Sequence, residues 1–181
     1  MIGRPRRRSR TVPDTVRTGE RVLAWASGPA GDLVAAASRE AVHLLIADGL
    51  ERDRRGWNRL EWDGVHSLSW DAQEALLTVH RTGRRGAAEA STQLHVDPDD
   101  RSLGAFLEVA RERIAATVVL QRWTEVPGGR VGVVARRGFT GERALSWALE
   151  VPDGVDASSD GVRELLVQVL RAAREELGES S

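Results

Sequence analysis

The chain has 181 residues, of which 41% are apolar, and its formal net charge is −1, so its size suits one domain or one domain with an extension. It contains no cysteine, which excludes disulfides, thiolate nucleophiles and cysteine-based metal sites and fits a cytoplasmic protein. Its uncharged runs are shorter than the roughly 18 apolar residues that a membrane span needs. All 26 strongly basic residues are arginine, as is typical of a GC-rich genome such as an actinobacterium's, so arginine content alone is weak evidence for nucleic-acid binding.

Residues 1–17 form a basic arm ahead of an acidic body. Six arginines and one aspartate give the arm a charge of +5, and since the whole chain carries −1, residues 18–181 carry −6. With two prolines and little apolar content, the arm is predicted to be disordered in isolation, and no apolar stretch follows it to make a secretory signal. Its candidate contacts to a polyanion, either nucleic acid or an anionic membrane, are Arg4, Arg6, Arg7, Arg8 and Arg10. We favour a solvated tail over both, because the acidic body repels DNA and no aromatic residue is interleaved with the arginines.

Seven short strands are predicted in the part of the chain that follows the arm. Alternating or continuous apolar residues bounded by turn residues place them at 20–26, 32–38, 41–47, 57–62, 65–70, 74–80 and 92–96. The second and third strands form a hairpin that turns at Arg39-Glu40, and Asp63-Gly64 marks another turn. Residues 48–56 and 81–91 are polar and are predicted as loops.

The hydrophobic period then changes from that of a strand to that of a helix. Five apolar residues with helical spacing fall on one face, namely Leu103, Phe106, Leu107, Ala110 and Ile114. Asp99 or Asp100 is a natural N-cap for this helix, which explains the sequence DPDD better than a cation site does.

Three more strands and a second helix complete the chain. The strands are predicted at 117–126, 130–138 and 143–151. The helix runs along residues 162–177, with Ser159 or Asp160 as its cap and Gly178 at its end. Many strands, a helix, three strands and a helix, in that order, predict an antiparallel α+β fold.

The middle of the chain resembles a known family. The run RLEWDGV (59–65), followed by SLSWD (67–71), is similar to the R-x-x-W-x-x-[IV] pattern of bacterial pleckstrin-homology-like (PH-like) domains of the GRAM-like kind. The resemblance covers residues 18–118, and the chain as a whole also resembles small actinobacterial proteins. It implies an antiparallel PH-like sheet or barrel closed by a helix. Residues 119–178 then add a three-stranded β-meander and a C-terminal amphipathic helix, packed on the same core.

The resemblance also implies a kind of function. Domains of this family usually bind proteins, and some bind lipid headgroups through basic residues in the loop between their first two strands. Here that loop, residues 27–31, has no basic residue, which argues against phosphoinositide-type binding.

Tryptophan is the main large aromatic residue, with six copies against two phenylalanines and no tyrosine. We predict core positions for the four that share a strand with aliphatic or small residues: Trp25, Trp62, Trp70 and Trp147. Trp57 borders a loop and Trp123 lies among polar residues, so these two are the candidate protein interface. Burial is the commoner role of tryptophan and stays the alternative for both.

No motif for catalysis, cofactor binding or metal binding stands out. The histidines lie in predicted strands and are interpreted as solvent-facing or hydrogen-bonded, and His80 and His95 could pair across neighbouring strands. The glycines of PGGRVGVV (127–134) precede a strand and not a helix, so they indicate a hairpin turn and not a phosphate loop. We therefore predict no catalytic, cofactor or metal residue.

These observations favour a non-enzymatic cytoplasmic protein-interaction module whose protein partner is unknown. Binding of nucleic acid or an anionic membrane through the arginine-rich arm is the first alternative. An enzyme with an unrecognised site is the second.

Overall fold

A computed structural model of the chain describes residues 19–48, 51–82, 91–139, 145–152, 154–156 and 158–179, without the side chains of 47–48 and 51–55. The predicted disorder of the arm, its candidate polyanion contacts and residues 83–90 of a predicted loop lie outside the described residues. The α+β prediction is confirmed: the fold consists of antiparallel sheets and two helices, and the sheets are not closed.

The first sheet has four antiparallel strands in sequential order: β1 (Val22–Ser27), β2 (Leu33–Ser38), β3 (Ala41–Asp48) and β4 (Glu51–Glu61). The hairpin turn at Arg39-Glu40 is confirmed. The loop predicted at 48–56 is wrong, because β4 already begins at Glu51 and pairs Gly56 with Ile46. The hydrogen bonds of a strand ladder involve only the backbone, so the polar sequence ERDRRG extends β3 and β4 without an apolar pattern.

The second sheet has three antiparallel strands, also in sequential order: β5 (Val65–Asp71), β6 (Leu76–Arg81) and β7 (Ser91–His95). A 3₁₀ turn at Trp62–Gly64 connects it to the first sheet. The predicted pairing of His80 with His95 is wrong, since the register places His80 opposite Ser91 and His95 opposite Leu76. The two histidines therefore lie at opposite ends of the strand pair.

Helix α1 (Leu103–Thr117) shares one apolar core with the first two sheets. Phe106 and Ala110 of α1 are buried with Leu44 and Leu77 from the sheets and with Trp62 from the 3₁₀ turn between them. The other buried side chains of this core come from β1, β2, β3, β5, β6, β7, α1 and the residue after β7. Residues 22–117 thus enclose one continuous hydrophobic core.

The residue that directly precedes α1 is Ser102, not the predicted Asp99 or Asp100, but the side chain of Ser102 makes no capping hydrogen bond within the described residues. The carboxylate of Asp100 instead accepts hydrogen bonds from the backbone N–H of Ser102 at 2.8 Å and of Ser27 at 2.7 Å. Asp100 therefore ties the start of the helix to the end of β1, a contact between residues 73 positions apart in the sequence.

The third sheet is formed by β8 (Val118–Val126), β9 (Gly129–Arg137) and β10 (Leu145–Glu150), with β9 in the middle. Helix α2 (Asp160–Glu176) packs on this sheet through a separate apolar cluster of Val131, Val162 and Leu166. The predicted caps are confirmed: Ser159 precedes the helix, and Gly178 follows it with φ +74°. That left-handed conformation favours glycine at a helix end.

A buried cation connects the third sheet to the rest of the fold. Arg136 of β9 is only 4% exposed. Its guanidinium donates hydrogen bonds to Thr117 Oγ1 (3.1 Å) and to the carbonyls of Ile114 (3.3 Å) and His66 (3.4 Å). One arginine thus contacts α1 and β5 from β9. Within the described part of the chain, no helix has the length and apolar character needed to cross a membrane.

Candidate functional site

The tryptophans predicted to be core occupy two kinds of position. Trp62 is fully buried, and its indole Nε1 donates a hydrogen bond to the Ser38 carbonyl at 3.1 Å. Trp70 is partly buried against the same core, as predicted. Trp147, in contrast, is half-buried at the end of α2, where Nε1 donates to Glu179 at 2.9 Å. Trp25 is also half-buried, and neither Trp25 nor Trp147 belongs to the apolar clusters of the described residues, so the core positions predicted for these two are wrong.

The two interface candidates lie on different sheets. Trp57 is half-buried on β4, opposite Leu45. Trp123 lies on β8 and is 38% exposed, which makes it one of the exposed large apolar side chains of the described chain. The structure therefore separates the two candidates, and Trp123 is the more accessible.

Trp123 is held in place by its neighbours on β9. Its partner in the register is Gly132, and a Cβ on that glycine would lie only 2.6 Å from indole carbon Cε3. The ring therefore lies directly on the backbone of β9, an aromatic side chain covering a strand glycine. On the same indole, the guanidinium carbon of Arg130 is 4.9 Å from the ring centroid, within the range of a cation–π contact.

Sequence reasoning identified Trp123 but missed Gly132 and Arg130. The sequence predicts Gly132 only as a member of the strand that follows the turn at residues 127–129. A glycine in the interior of a strand is itself a signal that another group approaches the backbone closely. The sequence does not show which aromatic residue approaches it, because that depends on the pairing of β8 with β9.

Strand β8 is an edge strand of the third sheet within the described residues. Its exposed positions include Val119, Gln121, Trp123 and Glu125, and Val119 is 41% exposed. The intervening Arg122 instead binds Glu176 of α2, with its Nη2 at 2.6 Å from a carboxylate oxygen. The edge of β8 therefore presents two exposed apolar side chains, four positions apart, beside backbone groups that pair with no other described strand.

A second polar cluster surrounds Glu20 at the start of β1. The Glu20 carboxylate accepts hydrogen bonds from the Ser38 hydroxyl and from Nε of Arg59 (2.7 Å), and Nε2 of His43 lies 3.6 Å away. Burial would raise the pKa of Glu20, but the hydrogen bonds from Ser38 and Arg59 and the charge of Arg59 outweigh it and lower that pKa.

Serine, histidine and glutamate side chains close together invite comparison with a nucleophilic site. In such a site the imidazole contacts the hydroxyl, and the carboxylate orients the imidazole. Here the Ser38 hydroxyl donates its hydrogen bond to the carboxylate and not to the imidazole, and the fully buried Ser38 Oγ accepts a hydrogen bond from the backbone N–H of Ala41 at 3.0 Å. This arrangement braces the β2–β3 hairpin against β1 and β4.

The same cluster leads to a prediction on pH. Burial lowers the pKa of His43, and the nearby Glu20 carboxylate offsets this only in part. The unfolded chain therefore binds the proton first as the pH falls below the ordinary histidine value of about 6.5. We expect the free energy of unfolding to decrease between about pH 7 and pH 5, and His43→Gln to reduce that slope.

Urea titrations at a series of pH values measure the effect, with His95→Gln at an exposed position of β7 as the matched control. An identical pH slope in the wild type and the His43→Gln variant would contradict the prediction.

A cavity of about 500 Å³ opens beside this cluster. Its walls are formed by Gly19, Glu20, Arg21, Leu23, Arg39, Glu40 and Arg113. These residues come from the start of β1, from the β2–β3 turn and from the C-terminal half of α1.

Among the described residues, no three histidine, aspartate or glutamate side chains come together as metal ligands would. A scan against models of protein families, a search of curated proteins and a search of solved structures each gave no match to this chain.

Proposed function

We propose that this chain is a PH-like protein-interaction module that binds an extended segment of a partner protein along strand β8. The observation that carries the proposal is Trp123, an exposed indole held in a fixed position on an edge strand. The partner adds a strand to the sheet and places one apolar side chain against Trp123 and another against Val119.

The order of elements supports the PH-like part of the proposal. Four sequential antiparallel strands are followed by three more and then by α1, and all three parts contribute to one core. This is the strand and helix order that the resemblance of residues 18–118 implies. Residues 118–179 add a further sheet and helix to that arrangement.

The chemistry of the partner follows from the groups that β8 offers. Edge strands bind peptides through main-chain hydrogen bonds, and side-chain contacts supply the specificity. Arg130 faces Glu125 in the register, yet its guanidinium lies over Trp123, and among the described residues it has no ion pair. We therefore assign to the partner segment an acidic residue for Arg130 beside an apolar residue for Trp123.

A fixed indole also improves binding energetically. A side chain that is already ordered loses little conformational entropy on association, and exposed tryptophan is enriched at the centres of interfaces. Gly132 and Arg130 supply that order here by contacting the indole on β9.

The experiment is site-specific crosslinking from the proposed edge. A photo-crosslinking amino acid replaces Gln121 of β8 or, as the matched control, the exposed Gln168 of α2 in the full chain. In a nuclease-treated native lysate, we expect one protein to crosslink from position 121 and not from position 168. Trp123→Ala should reduce the yield at position 121 by about tenfold or more, as expected for an interface anchor.

Three outcomes would overturn the proposal. Equal crosslinking from both positions means that β8 is not the interface. A product of twice the chain mass from position 121 means that the occupant is a second copy. Nucleic acid or lipid retained from an untreated lysate only by a chain with an intact arm, without any crosslink at 121, transfers the function to residues 1–17.

A further inference from the structure

The cavity beside Glu20 has an unusual set of walls for a surface depression. Three arginines, Arg21, Arg39 and Arg113, approach it from three separate elements, and Leu23 contributes an apolar side chain that is 38% exposed. Its volume of about 500 Å³ lies within the range of small-molecule sites. The strand edge of β8 is not part of these walls.

The acidic groups of the cavity already have a cation. Arg59 donates to Glu20 at 2.7 Å and approaches Glu40 at 3.7 Å, and it also binds Glu61 at 2.9 Å. These contacts raise the pKa of Arg59, first of all through the hydrogen bond to Glu20. An arginine that does not line the cavity thus neutralises part of the negative charge of Glu20 and Glu40, and the wall itself carries three arginines against these two carboxylates.

The three arginines of the wall have fewer ion pairs and hydrogen bonds to described residues than Arg59 has. Arg21 and Arg39 are exposed and make no ion pair with any described residue. Nε of Arg113 is buried and has no hydrogen-bond partner among the described atoms. The remainder of its guanidinium has only a 3.7 Å contact to Glu112 and the ring of Phe139 at 5.9 Å.

We infer that this cavity binds a small organic dianion with a compact oxyanion head and an apolar body. Guanidinium groups bind phosphate and carboxylate oxygens through paired N–H donors, so a phosphate monoester and a dicarboxylate share the chemistry that these arginines recognise. Leu23 contacts the apolar body. This site is separate from the β8 edge, and the inference does not rest on the proposed function.

Isothermal titration of the full chain tests the inference, with phenyl phosphate, phthalate, inorganic phosphate and uncharged benzyl alcohol as probes. We expect binding of phenyl phosphate or phthalate, weaker binding of inorganic phosphate because it lacks the apolar body, and none of benzyl alcohol. Tighter binding of phenyl phosphate indicates a phosphate monoester as the natural ligand, and tighter binding of phthalate indicates a dicarboxylate. Arg39→Gln should weaken binding of the tighter anion by about tenfold, the usual effect of losing one charge-assisted hydrogen bond.

Two matched controls distinguish binding in the cavity from attraction of the anion by positive charge elsewhere on the chain. Arg101→Gln removes an exposed arginine outside the cavity, and the combined variant R4Q, R6Q, R7Q, R8Q and R10Q neutralises the arm. Both should bind the probe as the wild type does. Absence of binding by both organic anions, or an equal loss in the Arg101→Gln or arm variant, would overturn the inference. Because Arg39 is exposed in a turn, its variant should fold normally, which circular dichroism verifies.

Discussion

Replacement of Trp62 by alanine is expected to lower the free energy of unfolding by about 3–5 kcal/mol, the usual cost of removing a large buried aromatic side chain. Trp62 is fully buried in the core that the first two sheets share with α1. Its indole also donates to the carbonyl of Ser38, a buried residue, and the alanine variant loses this buried hydrogen bond. Since small domains are stable by only about 5–15 kcal/mol, this one change threatens folding itself.

Urea unfolding followed by far-ultraviolet circular dichroism measures the effect, because this signal does not depend on the number of tryptophans. Trp62→Phe keeps most of the apolar volume and loses only the hydrogen-bond donor, so we expect a smaller loss of roughly 1–2 kcal/mol. Trp123→Ala, at an exposed position, should cost less than Trp62→Ala. Similar losses for Trp62→Ala and Trp123→Ala would contradict the assignment of one indole to the core and the other to the surface.

The comparison of these two tryptophans shows what the sequence could reveal about the fold. In the predicted strand 57–62, Trp62 shares a face with Leu60 by simple alternation, which is a local property; its burial is confirmed, although Trp62 lies in the 3₁₀ turn that follows β4. Helix α2 was likewise predicted with both caps, since Ser159 and Gly178 act on adjacent residues. Local periodicity and local backbone chemistry are therefore readable from one sequence.

The features that the sequence did not reveal depend on pairing between distant segments. The polar start of β4 is a strand because β3 pairs with it, and its own residues carry no apolar pattern. Asp100 accepts hydrogen bonds from Ser102 at the start of α1 and from Ser27, 73 positions away, and only the first of these contacts is local enough to be predicted. The stacking of Arg130 on Trp123, and the cavity between β1, the β2–β3 turn and α1, are likewise set by tertiary contacts alone.

Arg136 belongs to the same class, since its sequence context VVARRG gives no reason to expect a buried charge. Burial lowers the pKa of its guanidinium, and the carboxylates of Glu150 and Asp63 oppose that shift. It donates to Ile114 in the last turn of α1, a turn that has no basic residue of its own. Arg136 therefore supplies from another sheet the positive charge that stabilises the C-terminus of a helix.

We expect Arg136→Ala to lower the free energy of unfolding by about 3–5 kcal/mol, because it leaves several buried acceptors and carboxylates without their cation. Arg136→Lys keeps the charge without the planar set of donors and should lose about half as much, roughly 2 kcal/mol. A change below about 0.5 kcal/mol in Arg136→Ala, the level of an ordinary surface substitution, would contradict the role assigned to this residue.

Hydrogen exchange measured by mass spectrometry on the same variant shows which part of the fold depends on Arg136. The apolar cluster around Val131 is separate from the core around Trp62, and the arginine connects the two regions through polar contacts. We therefore expect Arg136→Ala to reduce amide protection mainly in β8–β10 and α2, with smaller changes in β1–β3. An equal loss of amide protection in β1–β3 would contradict this expectation, because it would mean that residues 119–178 unfold together with residues 18–118. That behaviour is expected if both regions pack on one core, as the sequence predicts.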